Sequence, residues 1–163
     1  MKKIYSVLVE NRSGVLSKVA GLFSRRCFNI DSLAVGETED PDISRMTIVS
    51  SGDDRTIEQI EKQLNKKLDV IKVKTFYEAQ SISRELMLVK VKYNKSTRRE
   101  IMEICEMMEF AKIMDFSKRQ MLIQVCDIPE RTKLFTQMMA PFGIVDVART
   151  GTIALSKCSE SDN

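Results

Sequence analysis

The sequence predicts an α+β protein built from two ferredoxin-like βαββαβ domains in tandem. Three observations carry this. Strand-like and helix-like periods follow the order β-α-β-β-α-β within residues 1–76, the same order returns over residues 85–157, and a polar segment at 77–84 separates the two runs as a linker. The halves share element order and little sequence, and residues 158–163 are left as a tail.

Residues 4–10 (IYSVLVE) are β-branched and aromatic, and they end in the turn cluster Asn11-Arg12-Ser13-Gly14. A helix should follow from Val15 to Arg26, where Val15, Leu16, Val19, Ala20, Leu22 and Phe23 recur on one face and basic residues occupy the last turn. Two strand-like runs, 29–37 and 43–50, flank a polar stretch containing Pro41 and read as a hairpin. The second helix is expected over 54–67, with Ile57, Ile60, Leu64 and Leu68 as its stripe and Asp53 or Asp54 as its cap. Val70 to Phe76 closes the first domain. In the second domain, 85–93 is a strand, and a helix begins near Thr97 with Glu100 forming a capping box. Strands at 110–117 and 119–126 follow, then a helix from Pro129 to Met139, where an early proline is tolerated and Pro141 marks the stop. Further strands lie within Ile144 to Ser156.

Hydrophobic residues are 43% of the 163 and charged residues 30%, enough to bury a core and too apolar for disorder. No apolar run approaches the roughly 20 residues of a membrane span, and the N-terminus lacks a secretory pattern, so a cytoplasmic protein is expected, with no membrane association. The chain has no histidine, which removes Cys/His zinc sites and Cys-His or Ser-His catalysis. Cys27, Cys105, Cys126 and Cys158 are widely spaced, without a CxxC pair, and read as reduced structural thiols. The net charge of +3 comes from basic residues interleaved with acids, which is not a nucleic-acid footprint. The acids at Asp53-Asp54 and at Glu37 to Asp40 stand at a helix start and in a hairpin loop, where solvated carboxylates are expected; metal sites are not. The methionines between Met102 and Met139 fall at helical spacing with Ile104, Phe110 and Leu134 and read as core.

The segment Asn11-Arg12-Ser13-Gly14-Val15-Leu16 is the most informative. A helix N-terminus exposes unpaired N–H groups and partial positive charge, and Gly14 has no side chain to keep a ligand away, so a carboxylate is the natural guest. Asn11 and Ser13 serve equally well as plain turn and cap residues. Asn29-Ile30, expected to open the second strand beside this loop, offers an amide and a main-chain carbonyl to an ammonium group.

Taken together, SVLVENRSGVLSKVAGLFSRR, NIDSLAVGETEDP, SRMTIV, IEQIEKQLNK, RELMLVKV and VARTG resemble, in their order, the regulatory small subunits of acetolactate synthase, whose N-terminal half is an ACT domain. An Asn-x-x-Gly-x-Leu alone would indicate only some ACT domain; SRMT with the distal VARTG narrows it to this family. The chain departs from the family's pattern around Val125 to Arg131 (VCDIPER), where a small-residue turn is more usual.

The resemblance implies a non-catalytic subunit that binds valine or another branched-chain amino acid and confers feedback inhibition in branched-chain amino acid biosynthesis. Asn11, Ser13, Gly14, Val15 and Leu16 would hold the effector's carboxylate, and Asn29 and Ile30 would complete the site across a homodimer interface. Gly36 and Gln59 match positions connected with effector response. The implied partner is a large catalytic subunit that carries thiamine diphosphate, magnesium and FAD; no cofactor is expected on this chain. With the same element order an RNA-recognition module competes, but such a module stacks bases on third-strand aromatics, and ISRMTIVS has none. A free-standing enzyme is disfavoured by the absence of any convergent catalytic constellation.

Overall fold

A computed structural model describes residues 2–76 and 80–158. Two compact units emerge, one of residues up to Ile82 together with those from Thr152 onward, the other Ser83–Gly151. Of the expected linker at 77–84, residues 77–79 lie outside the described region, and residues 81–84 are the start of β5. Of the expected tail, only Cys158 is described.

In the N-terminal unit β1 (Lys2–Glu10), α1 (Val15–Arg25), β2 (Ser32–Glu37), β3 (Ile43–Ser51), α2 (Asp54–Asn65) and β4 (Val70–Phe76) follow the predicted order. The antiparallel sheet is ordered β2-β3-β1-β4, with β2 at one edge. Alternation along β1 sends Tyr5, Val7 and Val9 to the helical side, where they pack with Val15, Val19, Leu22 and Phe23 of α1 and Ile57, Ile60 and Leu64 of α2. Asp53 caps α2, accepting the Thr56 N–H at 2.8 Å. Leu68 falls beyond the end of this helix and is fully exposed, so the apolar stripe stops at Leu64.

The exit from α1 is a Schellman motif: Phe28 N–H bonds Phe23 O at 3.0 Å and Cys27 N–H bonds Ser24 O at 3.1 Å. Cys27 takes the left-handed conformation, φ 56°, that glycine usually supplies there, and the Phe23 and Phe28 rings meet edge-on with centroids 6.4 Å apart. These bonds occupy the chain up to Phe28, so β2 starts at Ser32 and not at Asn29 as expected.

The second unit repeats the pattern with β5 (Ser81–Lys92), α3 (Thr97–Met107), β6 (Ala111–Phe116), β7 (Gln120–Asp127), α4 (Pro129–Met139) and β8 (Ile144–Arg149), in sheet order β6-β7-β5-β8. Met87, Val89, Val91, Ile101, Ile123, Phe135 and Met139 form its core. The methionines divide: Met121 and Met139 are core, whereas Met107 and Met114 are exposed. Of the cysteines only Cys105 is buried, and Cys27, Cys126 and Cys158 are exposed free thiols.

The last strand, β9 (Ile153–Ser156), pairs with β5 and so joins the second sheet, as expected of a strand after β8, while its residues group with the N-terminal unit. Gly151, at φ 80°, turns the chain after β8. Thr152 N–H then bonds Ser32 Oγ at 2.8 Å, Ala154 packs with Ile4, Val49 and Phe76, and Lys157 N–H bonds Gln80 O at 3.1 Å. These residues of β1, β3 and β4 form an apolar patch separate from the helix-side core, and β9 covers it.

Candidate functional site

The loop between β1 and α1 is held from both sides. Arg12 N–H bonds Glu10 O at 3.0 Å, and Val15 N–H bonds Arg12 O at 3.3 Å, which folds residues 11–14 into a tight turn. Gly14 is the N-cap of α1 at φ 86°, and no side chain caps the helix. Val15 is buried, and Asn11, Ser13, Gly14 and Leu16 are exposed. Ser13 therefore does not act as the cap that the plain reading gave it. The N–H groups of Leu16 and Ser17 have no hydrogen-bond partner among the described residues. A Cβ built on Gly14 would meet nothing within 4 Å, so the space beside the helix start is open, and these unpaired donors form the positive end of the helix.

Asn11 is turned toward the β2–β3 hairpin. Its main-chain N–H bonds Asp42 O at 2.7 Å, and its side-chain Nδ2 donates to Pro41 O at 2.8 Å and to Glu37 Oε1 at 3.2 Å. The hairpin is itself closed by Thr38 N–H to Ile43 O at 2.9 Å.

Asn29 and Ile30 are not beside this loop in the same chain. Through β3, Ser32 aligns with Val49 and Ile4, whereas Glu37 aligns with Ser44 and Val9. The segment before Ser32 thus lies at the opposite end of the sheet from Asn11, roughly 15–20 Å away at the strand rise. Asn29 Nδ2 donates to Asp31 Oδ1 at 2.5 Å, and its carbonyl, expected to be free, accepts the Ser50 hydroxyl at 2.6 Å. Ile30 is half-buried against the core of its own unit. Gly36 lies on edge strand β2 next to Glu37, at the Asn11 end of the sheet, with open space where a Cβ would stand. Gln59 is on the exposed face of α2.

The distal VARTG segment pins strand β8. Arg149 reaches the buried Glu85 of β5 at 3.7 Å and donates to Thr136 Oγ1 at 3.0 Å, while Thr132 Oγ1 donates to the same Glu85 carboxylate at 2.6 Å. Thr150 continues the ladder through Leu86, its N–H bonding Leu86 O at 3.0 Å. In the unusual VCDIPER stretch, Asp127 accepts from Ile128 N–H at 2.7 Å and from Arg131 at 3.0 Å. Partial desolvation pushes the Asp127 carboxyl up, but these donors outweigh it and hold it below the ordinary range. Neither feature was expected as a ligand contact, and both close the C-terminal unit.

Two family models cover almost the whole chain: one described as the AHAS small subunit-like ACT domain matches residues 5–72, and one described as the small subunit of acetolactate synthase matches residues 84–158. The chain belongs to the acetolactate synthase small-subunit family. It is 46% identical to the acetolactate synthase small subunit of Mycolicibacterium smegmatis over 152 residues, 93% of this chain and 89% of that one. A probable acetolactate synthase small subunit of Archaeoglobus fulgidus is 46% identical over 155 residues, 95% and 96% of the two chains. The crystal structure of the acetolactate synthase small subunit from Thermotoga maritima superposes with a TM-score of 0.90 at 37% identity, covering 98% of this chain and 99% of that one. The loop that ends at Gly14 is thus the β1–α1 turn of a small-subunit ACT domain. Among the described residues, no helix is long and apolar enough to cross a membrane.

Proposed function

We propose that the chain is the regulatory subunit of a cytoplasmic acetolactate synthase and that it binds a branched-chain amino acid, valine first among them, at the start of α1. The observation that carries this reading is the uncapped helix end: two main-chain donors, Leu16 and Ser17, have no partner among the described residues, behind a glycine at φ 86° with open space where its Cβ would stand. A carboxylate placed there satisfies both donors and meets the positive end of the helix dipole. The apolar side chain of the effector would lie toward Leu16, which is 44% exposed.

A homodimer completes the site in this reading. Asn29 and Ile30 stand at the far end of the sheet from the loop, so both can touch one ligand only if they come from a second copy. Edge strand β2 supplies a route, because antiparallel pairing of β2 with its counterpart would bring the Ser32 end of one copy to the Glu37 end of the other. Catalysis belongs to the large subunit, with its thiamine diphosphate, magnesium and FAD. This chain raises the large subunit's activity and transmits inhibition as a coupling free energy, typically about 1–3 kcal/mol.

The test is a valine dose-response of the reconstituted enzyme with Gly14→Asp. The new carboxylate would occupy the Leu16 and Ser17 donors and repel the effector's own, so inhibition by valine should be abolished. Activation of the large subunit is measured in the same preparations as the check on docking. An unchanged inhibition curve would place the effector elsewhere.

A further inference from the structure

We propose that Glu37 is a positioning residue of the effector site: with the Pro41 carbonyl it fixes the Asn11 amide so that Asn11 meets the effector's ammonium group, not its carboxylate. The inference rests on the effector reading above and specifies which end of the amino acid Asn11 holds. A side-chain amide has two N–H donors and one carbonyl acceptor. Both donors of Asn11 have partners, Pro41 O at 2.8 Å and Glu37 Oε1 at 3.2 Å. Turning the amide over would set its oxygen against a carbonyl and a carboxylate, two acceptors, so the orientation is determined by its surroundings. What remains is Oδ1, which accepts no hydrogen bond among the described residues. An acceptor cannot serve a carboxylate. It can serve an ammonium, whose only hydrogen-bonding capacity is donation.

The division of labour at the loop follows from this. The Leu16 and Ser17 N–H groups take the negative end of the amino acid, and Asn11 Oδ1 takes the positive end. Glu37 adds negative charge on the ammonium side and stands on the strand that leads into the hairpin. The hairpin is therefore part of the site through Glu37 and Pro41, although neither touches the effector.

The experiment uses the full-length chain labelled with 13C and 15N and titrated with L-valine, alongside Glu37→Ala, Glu37→Gln and Gly14→Asp. The Asn11 side-chain signals are assigned by their loss in Asn11→Ala. Without valine, the Nδ2 signals should move in Glu37→Ala and keep their wild-type positions in Glu37→Gln, whose amide oxygen still accepts. With saturating valine, the Asn11 Cγ signal should shift while the Nδ2 signals stay, as expected when the oxygen gains a donor. Valine affinity should fall roughly fivefold in Glu37→Ala and recover to within about twofold in Glu37→Gln. A valine-induced shift of Nδ2 with Cγ unmoved would overturn the proposal, and so would a Glu37→Gln chain as weak as Glu37→Ala. Nδ2 signals indifferent to Glu37→Ala would overturn it whether or not valine binds. If Gly14→Asp binds valine as well as the wild type does, the effector reading fails separately.

Discussion

The two units place a loop at the same topological position, between the first strand and first helix of a βαββαβ fold, and finish it in opposite ways. In the C-terminal unit the β5–α3 turn satisfies itself: Asn94 Oδ1 accepts the Ser96 and Thr97 N–H groups, each at 2.9 Å, and Thr97 Oγ1 accepts the Asn94 N–H at 3.0 Å. In the N-terminal unit the corresponding helix start has glycine as its N-cap and no side-chain partner. Asn11, the asparagine of this turn, is drawn away to Pro41 and Glu37. One fold thus yields a closed helix end and an open one, and the difference lies in where a single asparagine points.

The largest expected effect tests whether openness is the functional difference. Gly14→Asp should weaken valine binding by on the order of a hundredfold, since it replaces attraction at the helix end by occupancy and like charge. The matching change in the closed loop, Ser96→Asp, should leave the valine titration unchanged. Equal losses in the two variants, measured by calorimetry on the full chain, would mean that the contrast between the loops is structural only. Gly14→Asp carries a second, smaller effect. Aspartate tolerates the left-handed region better than most residues, but the strain at φ 86° should still cost about 1 kcal/mol.

Next in size is the packing of β9 within the N-terminal unit. Ala154 is buried beside Ile4, Val49 and Phe76, so Ala154→Asp sets a carboxylate in an apolar cluster and should destabilise by about 2–3 kcal/mol. Hydrogen exchange locates the damage: amides of β1 and β3 should lose protection while those of β7 keep theirs. Loss confined to β7 and β8 would return β9 to the C-terminal unit.

How legible each region was follows from the range of its interactions. Element order, the core faces of α1 and α2 and the Asp53 cap depend on neighbours within a few residues, and the sequence displays them. The open loop was readable too, because Asn-Arg-Ser-Gly before an apolar period announces a helix start. The pairing of β9 with β5 agrees with its expected place after β8, but its packing was not readable: nothing in its alternation announces that Ala154 is buried with Ile4, Val49 and Phe76. Asn29 was misplaced for a local reason that the residue types conceal: a cysteine at φ 56° where glycine would have signalled the Schellman turn, which delays β2 to Ser32. Family resemblance supplied Asn29 and Ile30 as site residues, but register alone shows that they lie far from Asn11 within one chain.

Alkaline pH separates the units by their buried acids. Burial, helped by the charge of Glu106, pushes the Cys105 thiol from 9.0 up to about 11. Burial, helped by Glu61, pushes Tyr5 from 10.0 up to about 12. In both cases the folded-state value is raised, so the contribution to stability is complete below the ordinary value and is lost as pH rises through the folded one. The C-terminal unit should weaken first, between pH 9 and 11, and the N-terminal unit between 10 and 12. Urea melts of the wild type and Cys105→Ala, compared at each pH, should converge by on the order of 1–2 kcal/mol across the first window. A constant gap between the two proteins from pH 8 to 11 would show that the thiol does not titrate in the fold.

The smallest effect bears most directly on the two loops. Asn94→Ala removes the acceptor for two first-turn N–H groups of α3 and leaves them to water, which at an exposed helix end costs about 1 kcal/mol. The sequence had suggested a capping box between Thr97 and Glu100, but Thr97 is the first helical residue, and the work falls to Asn94, three positions earlier. The variant therefore makes the C-terminal loop resemble the N-terminal one: a helix start with free donors. If free donors at this position were sufficient for an amino acid to bind, Asn94→Ala should acquire a second valine site in calorimetry. It should not. Ser96, the N-cap there, is in the ordinary helical region at φ −79° and bears a side chain, so the approach that Gly14 leaves open is missing. A loss of about 1 kcal/mol in the urea melt with valine stoichiometry unchanged would separate the two properties of the open loop, donors and access, and show that binding needs both. An unchanged melt would mean that the Asn94 bonds contribute nothing net and that the closed loop is closed by shape alone.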